Sequence, residues 1–349
     1  MFKEHQMDYK KFFYFLIITT LIILFFNLPV SFAKERKVRI IMEFNLKLPE
    51  NSKNVRLWLP YVTSDKNQTV SDINITGNYD KYYITTDNEY GDKILYVEWI
   101  NGNKEWKMTY EYTIIRREQI TKDYLIKELP FSQIEFKNFL KPHTLMPLDG
   151  KVKETALKIT QGKKTNLEKA KAIYDWIVEN MYRDPNVKGC GLGDVEKLLV
   201  NMGGKCADIH SVFVALARAS GVPAREIWGI RIPKGKSGDM TKAQHCWAEF
   251  YNPGYGWVVV DPADVRKAIL EQNLTLEKAK DLREYYFGAV DENRIAFGMA
   301  RDIILNPSQK GKPLIYFMYP YVEADGKTIN EDIYGFNIGY RITFRELES

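Results

Sequence analysis

Val38, Ile40, Met42, Phe44, Leu46 and Leu48 interleave with Arg39, Ile41, Glu43, Asn45 and Lys47. A period of two predicts a strand with one face buried. Val55-Arg56-Leu57-Trp58-Leu59 predicts a second strand, stopped by Pro60. Lys81–Thr86 and Lys93–Ile100 flank Asn88-Glu89-Tyr90-Gly91-Asp92, which has the composition of a hairpin loop. Lys107–Arg116 puts Met108, Tyr110, Tyr112 and Ile114 on one face. Short alternating runs spaced by Gly, Asn and Asp predict an antiparallel β-sandwich domain over residues 34–118. Residues 119–150, with Pro130, Pro142 and Pro147, read as a connector. The period then changes. Leu167, Ala170, Ile173, Tyr174 and Ile177 fall at helical spacing behind Thr165-Asn166-Leu167-Glu168, a capping-box start. Helix, helix, strand, strand is the predicted order over residues 151–265. Residues 266–349 form a C-terminal extension, with an amphipathic helix near Leu276–Phe287 and strands near Leu314–Val322 and Gly335–Phe344.

The N-terminus has a different pattern. Lys3, Lys10 and Lys11 precede an uncharged run from Phe12 to Leu28, then Pro29 and the small-x-small exit Ser31-Phe32-Ala33. These are the parts of a secretory signal, and the run is also near the short limit for a membrane span. Residues 1–33 are therefore read as a signal peptide or an uncleaved anchor, and either places the remainder outside the cytoplasm. Composition adds exclusions. The 349 residues carry 50 Lys+Arg against 45 Asp+Glu, a net +5 without basic runs, which argues against a nucleic-acid partner. Three cysteines are too few for a disulfide scaffold, and their odd number leaves one thiol unpaired.

The candidate chemistry begins at Gly203-Gly204-Lys205-Cys206-Ala207-Asp208-Ile209-His210, followed by an apolar helical run to Ser220 that Gly221 and Pro223 close. Cys206 thus opens a helix, where unsatisfied N–H groups and the positive dipole end favour a thiolate. Lys205 adds a cation, and the two glycines leave the sulfur accessible. Further on, Gln244-His245-Cys246-Trp247-Ala248-Glu249-Phe250-Tyr251, Asn252-Pro253-Gly254 and Tyr255-Gly256-Trp257-Val258-Val259-Val260-Asp261 read as strand, turn, strand. A loop at Asn252–Gly254 pairs Tyr251 with Tyr255 and sets His245 opposite Asp261, on one face. Nucleophile, base and orienting carboxylate then follow the logic of a catalytic triad.

These residues resemble the transglutaminase-like superfamily: Gly-Gly-Lys-Cys206 opening a helix, His245-x-Trp247-x-Glu249 on a strand, Gly256-Trp257-x-x-x-Asp261 on the next. The resemblance covers about residues 151–265. It implies an α+β, papain-like core in which a helix-borne cysteine packs on an antiparallel sheet. Gly191-Leu192-Gly193-Asp194 and Asp261-Pro262-Ala263-Asp264-Val265-Arg266-Lys267 are similar to a bacterial extracytoplasmic branch, which carries a β-rich N-terminal domain. The family's oxyanion hole implies the Cys206 N–H plus an upstream aromatic donor, for which Tyr182 is the candidate, with Trp176 assigned to the core. The glutamine that papain-type enzymes carry shortly before the cysteine is not in Leu199-Val200-Asn201-Met202.

The resemblance implies a thiol enzyme acting on amide bonds through a thioester, with hydrolysis of peptides or isopeptides favoured over acyl transfer to an amine, and with no cofactor. Its expected partner is a peptide, protein or cell-wall substrate, with membrane contact only through a retained N-terminal segment. The competing reading is a catalytically silent binding module for a peptide or envelope polymer. Cys206, His210, His245 and Cys246 are zinc-ligand types, but strand alternation turns Cys246 away from His245, which disfavours one tetrahedral centre. Outside the cytoplasm a Cys190–Cys246 disulfide would leave Cys206 the single free thiol; two separate buried thiols are the alternative. Tyr316, Tyr319, Tyr321, Tyr334 and Tyr340 either line an acceptor site or complete a sheet.

Overall fold

The computed structural model describes residues 33–102, 105–121 and 129–348. The expected leader or anchor lies outside them. Among the described residues no helix is long and apolar enough to cross a membrane.

The alternating runs form strands β1 (Glu35–Asn45), β2 (Val55–Pro60), β3 (Gln68–Gly77), β4 (Lys81–Thr86), β5 (Lys93–Trp99) and β6 (Lys107–Arg117). Strand β3 was not expected, because Gln68–Gly77 is polar and mostly exposed. It adds to the sheet through β6 alone. β1 buries Val38, Ile40, Met42 and Phe44, as period two requires.

The helices are α1 (Gly150–Ile159), α2 (Asn166–Asn180), α3 (Val195–Asn201) and α4 (Cys206–Ala219). Thr165 caps α2 with its side chain on the Glu168 N–H, and Glu168 answers in the expected capping box. Every residue of α4 is buried. Strands β7 (Ala224–Arg231), β8 (Ser237–Asp239), β9 (Gln244–Asn252) and β10 (Gly256–Val260) follow, then helices α5 (Pro262–Glu271) and α6 (Lys280–Tyr285), and strand β11 (Arg294–Gly298). An antiparallel sheet in the order β10-β9-β7-β11 packs against α4. This is the mixed, β-rich architecture with a helix-borne cysteine that the sequence implied.

Residues beyond 266 behave differently from an appended piece. Strands β12 (Tyr321–Ala324), β13 (Lys327–Thr328) and β14 (Tyr340–Glu346) enter both sheets that contain β1–β6. One sheet runs β8-β14-β1-β6-β3 and the other β13-β12-β2-β5-β4. β14 pairs with β1 from Val38↔Glu346 to Phe44↔Tyr340, and on its other edge with β8. The helix expected over Leu276–Phe287 is confined to α6.

Candidate active site

The Gly-Gly approach positions Cys206 as expected. Tyr182–Arg183 pairs in parallel with Gly203–Gly204, so the chain enters α4 from a short two-stranded sheet. A side chain at Gly204 would collide with Asp208. Asp208 in turn accepts from the Lys205 N–H (3.0 Å) and the Gly193 N–H (2.9 Å), fixing the turn that precedes Cys206. Gly191 needs its φ of +89°, and a Cβ there would fall inside the Asp208 carboxylate.

The hairpin register differs from expectation by two residues. Tyr251 pairs with Trp257 and Asn252 with Gly256, so the turn keeps three residues but moves one along the chain, to residues 253–255. In this register His245 lies beyond the end of β10 and pairs instead with Gly229 of β7. A two-residue shift preserves the face, however, and Asp261 becomes the N-cap of α5 rather than a ladder residue. From there its Oδ2 lies 2.9 Å from His245 Nε2. Its Oδ1 accepts from the Asp264 N–H (2.8 Å) and meets His210 Nε2 at 3.1 Å. Asp261 is fully buried.

With Nε2 at Asp261, Nδ1 is the ring nitrogen left to serve Cys206. Hydrogen bonds from the Cys190 and Cys246 thiols, together with His245, hold the Cys206 thiol well below the ordinary cysteine value, against the upward push of burial. The two neighbours move the other way. Contact with Cys206 and burial raise the Cys190 thiol, and burial and Cys206 raise Cys246. Burial would also raise the Asp261 carboxyl, but Arg294, His210 and His245 outweigh it and keep it well below the carboxylate range.

Sequence reasoning did not single out the residues that hold this carboxylate. Arg294 on β11 is wholly buried and bridges Asp261, Asp264 (2.5 Å) and Asp291 (3.2 Å). Arg231 at the end of β7 pairs with Asp264 and comes within 2.9 Å of His245 Nε2, while Arg294 comes within 2.7 Å. Asp264 was present in the Asp-Pro-Ala-Asp motif but had no assigned role. Arg294 lies far along the chain in a segment that carried no motif. His245, Asp261 and Asp264 have oxygen and nitrogen atoms close enough for one cation. A cation there would have to displace two guanidinium groups already paired with those carboxylates.

The remaining expected residues are placed as follows. Cys190 and Cys246 are both buried free thiols, which corrects the disulfide alternative. The reason is strand direction: Cys190 Sγ faces the Gln244 carbonyl at 3.2 Å, while Cys246 Sγ faces His210 Nδ1 at 3.4 Å, on the helix side of β9. Tyr182 is 47% exposed with its ring over Gly203, and it is Arg183 from that strand that lines the cavity. Tyr286 and Tyr319 are the tyrosines of the cavity wall, and Tyr319 neighbours Cys190. Tyr321 and Tyr340 complete sheets. Cys206 and His245 open onto a cavity of about 620 Å³.

Comparison with known proteins gives the family and the fold. Residues 153–262 match the family model described as the transglutaminase-like superfamily. An uncharacterized protein of Haemophilus influenzae is 39% identical over 333 residues, covering 87% of this chain and 90% of its own length. Bacillus subtilis YebA is 30% identical over 129 residues, 33% of this chain and 18% of its own. A crystal structure from Cytophaga hutchinsonii, described as a candidate cysteine protease, superposes with a TM-score of 0.54 at 15% identity, covering 90% of this chain and 99% of the other.

Proposed function

The chain belongs to the transglutaminase-like superfamily, and from that premise we propose that it is a thiol enzyme that cleaves amide bonds outside the cytoplasm through a Cys206–His245–Asp261 triad. The observation that carries the reading is the 2.9 Å contact between His245 Nε2 and an Asp261 carboxylate kept ionised, beside a Cys206 thiol held well below its ordinary value. The triad spans a helix N-terminus, a strand and a helix N-cap. A structural thiol would need none of this.

In this mechanism Cys206 gives its proton to His245, and Asp261 stabilises the resulting imidazolium. Arg231 and Arg294 do not forbid that charge, because Asp261, Asp264 and Asp291 offset them. The thiolate attacks the carbonyl carbon. The oxyanion lies at the N-terminus of α4, where the Cys206 N–H has no intrahelical acceptor. His245 returns its proton to the departing amine, leaving a thioester on Cys206. Water then attacks the thioester, giving its proton to His245, and the acid leaves with the thiolate restored. We favour water over an amine as acceptor. The apolar run Phe12–Leu28 behind a basic start supports the extracytoplasmic placement.

The test is burst kinetics with p-nitrophenyl acetate and intact-mass analysis. A stoichiometric burst with acetyl on Cys206, absent in Cys206→Ala, is the expected result. Equal turnover by Cys206→Ala would refute the mechanism, and binding without acylation would favour the silent module.

A further inference from the structure

The cavity at Cys206 has a charge that the triad does not explain. Its wall contains six cationic side chains and three carboxylates. Two of the carboxylates, Asp264 and Asp291, are paired with Arg231 and Arg294 in the buried network. The third, Glu271, stands 3.8 Å from Lys267. That leaves Arg183, Lys205, Lys234 and Lys242, none of which has a carboxylate partner among the described residues. Lys242 sits over the Phe336 ring at 5.5 Å, while Lys234 and Lys242 are exposed and Arg183 and Lys205 half-buried. The whole chain is nearly balanced at 50 cations to 45 carboxylates, so four unmatched cations around one nucleophile reflect placement rather than composition. A concave site lined by one sign focuses the field on its mouth.

We propose that the substrate is an acidic peptide. Its Asp or Glu side chains seat on Arg183, Lys205, Lys234 and Lys242. This rests on the reading of Cys206 as the nucleophile, and it names the substrate class of that site. Arg183 and Lys205 lie on the approach to α4, and Lys234 and Lys242 lie on the segment joining β7 to β9.

The test uses the full-length Cys206→Ala protein, which binds without turnover, and fluorescence anisotropy with labelled octaglutamate and octaglutamine. Octaglutamate should bind at least about tenfold more tightly at 50 mM salt, and the ratio should shrink toward 500 mM. Adding Lys234→Glu and Lys242→Glu should abolish the preference. Both residues are exposed, so melting midpoints will confirm that the fold is intact, and Lys234→Gln with Lys242→Gln serves as the milder pair. Equal affinity for the two peptides, or an octaglutamate affinity unmoved by both double variants, overturns the proposal. A linear polyphosphate of the same charge that binds as tightly overturns the peptide assignment. Acylation of wild-type Cys206 is read separately, so a failed charge preference leaves the thiol mechanism standing, and failed acylation does not erase a measured preference.

Discussion

At the scale of single residues, three thiols of the same type are given opposite reactivities. Cys206 lies at a helix N-terminus beside His245 and between two other sulfurs, and its thiol is pulled down. Cys190 and Cys246 adjoin it and are pushed up. A lowered thiol keeps a larger thiolate fraction as pH falls, whereas an ordinary one loses about tenfold in thiolate per unit below its pKa. Brief treatment with iodoacetamide at pH 6 should therefore label Cys206 alone, and its rate should fall less steeply from pH 8 to pH 6 than that of a free cysteine. Peptide mapping by mass spectrometry checks both points. A rate that climbs tenfold per unit, or label on Cys190 or Cys246 in the folded protein, would contradict this account. Arg294 supplies the complementary control. Its guanidinium, fully buried among three carboxylates, keeps Asp261 ionised.

At the scale of elements, the sequence predicts faces better than neighbours. Period two located β1, β2, β4, β5 and β6, and the capping box located α2, because those signals are local. The β9–β10 register depended on which three residues form the turn, which Asn252-Pro253-Gly254-Tyr255-Gly256 leaves open, and the pairing differs by two. His245 and Asp261 still meet because an even shift keeps them on one face. Arg231 and Arg294 were not legible at all: their role is set by which strands neighbour one another, and no local pattern encodes that. The same holds for Asp92, just before β5. Its carboxylate accepts from the Met299 and Ala300 N–H groups (2.7 and 2.8 Å) after β11, against Gly298. Burial raises its pKa to about 6. The folded state therefore holds this proton more tightly than the unfolded chain. Its contribution to stability is full below the unfolded carboxyl value near 4 and is lost as pH rises toward 6, by up to about 3 kcal/mol. Asp92→Asn should remove that fall and raise the urea midpoint at pH 7.5 while changing it little at pH 4. Urea titrations of both proteins across pH 4–8 give the comparison, and parallel curves would contradict the assignment.

At the scale of the whole molecule, the chain's last strand joins parts that lie far apart in sequence. β14 pairs with β1 on one edge and with β8 on the other, and the Met240 N–H bonds the Ile342 carbonyl (2.8 Å). β8 belongs to the segment that carries Lys234 and Lys242. On the far side of that segment Arg36 of β1 donates to the Pro233 and Gly235 carbonyls, each at 3.0 Å, and to Asn293 Oδ1 at 2.8 Å. The cavity's cationic rim is thus held by the β-sheet that carries no chemistry of its own. Truncation after Gly339 would strip β14, expose the edge of β1 with its apolar face, and leave β8 unpaired. That protein should aggregate or lose cooperative unfolding, whereas truncation after Glu346 should keep a single transition within a few degrees of the full chain. Differential scanning calorimetry and size-exclusion chromatography of the two truncations decide it. A shortened chain that unfolds cooperatively and still acylates Cys206 would mean that the core folds without the seam. If the seam is needed, the sandwich acts on the enzyme core by fixing where its charged rim stands.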